Sequence, residues 1–120
     1  MKRWWLVLTV VALSLLAVVP ALAHEETDCV HDATTIASLR ECVEHAWDEG
    51  HIDSDQLAQN LLKKIDKAQA SLNSGKVSSA IDKLRDFVET VQEQSGEHID
   101  PVHAEHLIHH AHLVIAALGG

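Results

Sequence analysis

Positive charge is scarce in this chain, with nine lysines and arginines against eighteen aspartates and glutamates, a formal charge of -9 with histidines neutral. Nucleic acid and anionic membrane surfaces are therefore not expected as partners, because binding phosphate needs clustered lysine and arginine. A cation or a basic partner suits the balance better. The alternation of apolar and polar residues that marks a half-buried strand is missing throughout, which excludes a sheet-based fold. Tyrosine is absent and phenylalanine occurs once, leaving Trp47 and Phe87 as the bulkiest candidates for a core. The apolar stretch near the start, "LVLTVVALSLLAVV", falls short of the ~20 residues that a spanning helix needs.

That stretch follows a basic "MKRWW" and precedes "PALA", with small residues at Ala21 and Ala23. This is the pattern of a secretory signal peptide over residues 1–23, cleaved after Ala23; an uncleaved anchor is the competing reading. Cleavage leaves 97 residues, seven basic and eighteen acidic, with a formal charge of -11. The expected location is secreted or periplasmic, with no membrane association once the leader is gone. Ninety-seven residues suffice for one small domain and not for two. The two cysteines, Cys29 and Cys42, would then sit where disulfides persist. On one continuous helix they would lie ~20 Å apart, too far to bond. "SLRE" at Ser38–Glu41 has the form of a capping box; a helix starting at Leu39 would leave residues 24–38 as a flexible lead-in on which Cys29 can fold back to Cys42. A Cys29–Cys42 disulfide is expected.

From Leu39 onward the punctuation predicts four helices. Gly50 closes the first, with Ile52 tucked toward the core. Asp53 and Gln56 open the second, whose apolar stripe is Leu57, Leu61, Ile65, Ala68 and Leu72, and Gly75 ends it. Val77, Ala80, Ile81, Leu84, Phe87, Val88 and Val91 form the stripe of the third, which Gly96 closes. Asp100 followed by Pro101 starts the fourth, which runs to about Leu118, since aspartate caps free amides and proline at the first helical position loses no hydrogen bond. Short connections make successive helices antiparallel neighbours. The expected fold is all-α, a small up-and-down bundle of about four helices over residues 39–118.

The run from Leu39 to about residue 117 resembles the FIMAH domain. The matching features are Gly50 and Ile52, "LLKKIDKA" from Leu61 to Ala68, Leu72, Gly75, Ala80, Leu84 and "FVETV" from Phe87 to Val91. They continue through Ile99, Ala104, Leu107, Ile108 and Ala111. The resemblance implies a non-catalytic accessory or interaction module of secreted bacterial and archaeal proteins, with no catalytic residues to carry over; an extracellular protein or a glycan is the kind of partner expected of an exported interaction module.

The histidines stand outside that pattern. "HIDPVHAEHLIHHAH", residues 98–112, holds six of the ten in the chain. On a helical wheel the stripe of Ala104, Leu107, Ile108, Ala111, Ile115 and Leu118 marks the buried face. His103, His106 and His110 then share a side facing away from the core, with His109, Glu105 and His112 on the other flank. Residues three or four apart on a helix are neighbours, so His103, His106 and His110 form a candidate site for zinc, copper or nickel, with Glu105 or His109 in support. Three readings stay open: ordinary surface histidines, metal handling, and pH sensing, in which protonating all ten would take the mature chain from -11 to about -1. His24, as a new N-terminus, would add an amino group beside its imidazole that suits copper. Enzymatic readings are weak: the serines of "NSGKVSS" fit helix capping, and "HAEH" spaces its histidines three apart where a zincin needs four.

Overall fold

A computed structural model describes Cys29 and residues 33–120; the leader and cleavage point expected from the sequence, and His24, lie outside the described residues. Four helices make up the fold: α1 (Ile36–Asp48), α2 (Asp55–Asn73), α3 (Val77–Gln94) and α4 (Pro101–Ala117). Each packs on the next and α4 returns to pack on α1, closing an up-and-down ring. No cis peptide bond is present among the described residues, and no described helix is long and apolar enough to cross a membrane.

The helix ends follow from their capping chemistry. The Schellman turn after α1 uses Gly50 at φ 85°, with Gly50 N–H donating to Trp47 O at 3.1 Å and His51 N–H to Ala46 O at 2.8 Å, which satisfies carbonyls left open at a helix end. Ile52 is thereby buried. Ser54 caps α2 by accepting from Leu57 N–H at 3.1 Å, so the helix opens one residue beyond the Asp53 cap expected from the sequence. Asp100 caps α4 as expected, accepting from His103 N–H at 3.2 Å with Pro101 at the first helical position.

The start of α1 differs from expectation. Thr35 is its cap, accepting from Ser38 N–H at 3.1 Å, so the helix begins at Ile36 and not at Leu39. The Ser38–Glu41 box is unused because the Ser38 hydroxyl is turned inward to a partner on α4. The earlier start still leaves Cys29 outside the helix, and the Cys29–Cys42 disulfide is formed, with Cα atoms 4.9 Å apart.

The core is one continuous cluster from all four helices, centred on Leu39, Val43, Leu61, Ile65, Leu84, Phe87 and Val91, all fully buried. Trp47 is a correction: it is only partly buried, and its Nε1–H donates to Asp55 Oδ1 at 2.9 Å across the α1–α2 turn. An indole with a polar partner at the rim keeps its N–H satisfied while its ring covers the core edge.

Candidate functional site: the histidine-lined junction of α1 and α4

The two inter-helix turns at one end of the bundle pair with each other. Ile52 and Ile99 form an antiparallel bridge, with Asp53 N–H donating to His98 O and Asp100 N–H donating to His51 O, each at 2.9 Å. Both isoleucines are buried, so this bridge anchors the turns while the neighbouring polar residues face outward. His98 Nδ1 lies 2.8 Å from Asp53 Oδ1, and His103 Nδ1 lies 3.0 Å from Asp100 Oδ2. Asp100 is held below its usual carboxylate range, chiefly by the side-chain hydrogen bond from His103 and then by the backbone N–H of the same residue.

Antiparallel packing of α1 on α4 then gathers histidines from both. The His51 ring stacks on His103 with centroids 3.5 Å apart and planes within 12°, and His106 meets His103 edge-on at 5.9 Å. Beside them is a cavity of about 50 Å³ lined by Cys29, Cys42, His45, Ala46, His103, His106 and Leu107. His45 and His51 have no place in the sequence-derived set. The available signal was their position at the end of α1, which a closed antiparallel ring must set against the beginning of α4.

His110 does not join this group on the surface. It is fully buried, the one buried polar residue among the described residues, where the wheel had turned it outward. The buried face of α4 includes Val114 along with Ala104, Leu107, Ala111 and Ile115, while Ile108 and Leu118 are only partly buried. The true stripe is therefore rotated toward His110. Its imidazole has partners waiting one turn apart on α1: Ser38 Oγ lies 2.9 Å from Nε2 and Cys42 Sγ lies 3.3 Å from Nδ1. A disulfide sulfur has no hydrogen to give, so Nδ1–H is the donor there. In the neutral ring Nε2 then accepts from the Ser38 hydroxyl.

The proposed ligand trio is thus split: His103 is half-buried against His51 and Asp100, His106 is exposed, and His110 is in the core. Glu105 and His109 are exposed. His112 lines an open groove with Asp82, Arg85, Asp86 and Glu89 on α3. Among the described residues no group of three or more His, Cys, Asp or Glu side chains is placed to share a metal ion.

A disulfide-tied, closed ring of four short helices with its histidines at one seam defines a small helical module. The family model for the FIMAH domain matches residues 36–116, and the chain belongs to that family. Comparison with curated proteins and with solved structures gave no match.

Proposed function

We propose that this chain is a non-catalytic interaction module working outside the cytoplasm. The observation that carries this reading is the filled interior. The enclosed hollow at the histidine seam has a volume of about 50 Å³, against roughly 300 Å³ or more for ordinary small-molecule sites. Larger hollows lie between α3 and α4, between α2 and α3, along α2 alone and at the paired turns, and none of these is lined by a paired nucleophile and base. A surface of that kind binds more readily than it transforms. Membership of a family of accessory helical modules agrees with it. The Cys29–Cys42 disulfide fits an oxidising compartment, and export by the N-terminal leader with cleavage after Ala23 completes the reading.

The test is retention of a specific extracellular protein or glycan by the purified, disulfide-intact protein, set beside N-terminal sequencing of the exported chain. Repeated failure to retain any component of the extracellular fraction would overturn the module reading. A mature chain that does not begin at His24 would overturn the assigned cleavage point.

A further inference from the structure

The fold sorts its scarce positive charge onto one face. Four of the five lysines that follow the leader, Lys63, Lys64, Lys67 and Lys83, line a single hollow between α2 and α3 with Asn60 and Asp86, of about 140 Å³. The hollow runs on along α2 into an adjoining one of about 340 Å³, lined by Gln56, Gln59, Asn60 and Lys63. Helical spacing explains the alignment, since positions 56, 60, 63 and 67 recur at steps of four, three and four and so share one face.

Asp86 is the one carboxylate in the lining, and Lys64 neutralises it with an ion pair at 2.9 Å. Lys63, Lys67 and Lys83 have no ion pair among the described residues. The neighbouring hollow toward α4 shares Asp86 and is acidic, with Asp82 and Glu89 beside Arg85. Three unpaired ammonium groups along one groove of a protein with net charge -9 repel each other and attract anions, so the local field opposes the global one.

We infer that the α2–α3 groove is a binding site for an acidic polysaccharide, one bearing carboxylate or sulfate groups along its length. This rests on the interaction-module reading and gives it a partner class. The lining side chains are all amide or charged, with no aliphatic or aromatic anchor. A protein partner ordinarily places its strongest contacts on buried aromatic or aliphatic anchors, and single-stranded nucleic acid on aromatic stacking platforms. Neither has a foothold here. An acidic polysaccharide needs what the groove has: ammonium groups for its anions and the amides of Gln56, Gln59 and Asn60 for its hydroxyls. Its sparse charge also limits repulsion from the carboxylates elsewhere on the protein, which the dense phosphates of duplex DNA would meet in full.

Affinity electrophoresis of the purified, disulfide-intact protein tests the assignment, with polygalacturonate, dextran sulfate, neutral dextran, polyglutamate and duplex DNA as probes. Retardation is expected by at least one of the two acidic polysaccharides, with the arm that responds identifying carboxylate or sulfate, and none by dextran. Lys63→Gln with Lys67→Gln is expected to weaken binding about tenfold. Lys76→Gln with Arg85→Gln, which changes net charge equally outside the lysine hollow, is expected to retain it. Both acidic polysaccharides failing, equal losses in the two double variants, or binding of polyglutamate or DNA as tight as that of polysaccharide would overturn the assignment. If the acidic polysaccharides fail while the protein still retains an extracellular component, the groove is wrong and the module reading stands; if both fail, both fall.

Discussion

His110 Nδ1 sits 3.3 Å from the disulfide sulfur of Cys42, with Ser38 Oγ 2.9 Å from the other ring nitrogen. A buried imidazole with both nitrogens engaged thus joins α1 to α4 within the core. Polar groups taken out of water cost stability unless they are partnered. The arrangement therefore couples the disulfide, the serine and the histidine, and makes His110 a structural residue.

His110→Ala should destabilise the protein by about 2 to 3 kcal/mol, because it opens a cavity and strands the Ser38 hydroxyl. Ser38→Ala should cost about 1 kcal/mol. Urea unfolding monitored by circular dichroism measures both, and a neutral effect of His110→Ala would contradict its place in the core.

Reduction should lower stability by about 3 kcal/mol, the loop-closure contribution of a short cross-link. Cys42→Ala should cost more than Cys29→Ala, since Cys42 is buried and partners His110 while Cys29 is partly exposed. Unfolding curves of the two single variants, compared with the reduced wild type, check the order.

Asp100 couples the start of α4 to pH. Its folded-state pKa lies below the ordinary value of 3.8, so its stabilising contribution is fully present above about 3.8 and is lost as the pH falls through the lowered folded value. Asp100→Asn should remove this acid-side dependence while keeping a capping oxygen. An NMR titration should place the Asp100 carboxyl below 3.8, and a midpoint at or above it would contradict the His103 contact.

Titration calorimetry with zinc, copper and nickel should show only weak binding, because His110 is buried and His103 is engaged with His51 and Asp100. His103→Ala with His106→Ala should change it little. Submicromolar affinity lost in that double variant would restore a metal-handling role.

The legible part of the fold lay in its punctuation. Gly50, Gly75 and Gly96 all adopt positive φ, and Asp100–Pro101 starts α4, because each of these positions is decided within a turn of chain. Thr35 could not be told from Ser38 as the cap of α1, since the choice depends on His110 claiming the serine hydroxyl seventy-two residues away. The same tertiary contact misled the wheel of α4: histidine is scored polar, and only the partners on α1 make its burial favourable. Net charge was equally blind to arrangement. It argued against a cluster of lysines, yet Lys63 and Lys67 share one face of α2 and the packing of α3 beside it adds Lys83.

The central claim is that this module works by binding, and that the lysine groove does the binding. Its most direct test passes extracellular material, with and without prior protease digestion, over the immobilised disulfide-intact protein and over its Lys63→Gln, Lys67→Gln variant. The account predicts an acidic polysaccharide that survives protease, is retained by the wild type, and is released by salt and by the double substitution. Retention of nothing, or of the same material equally by both proteins, would contradict it.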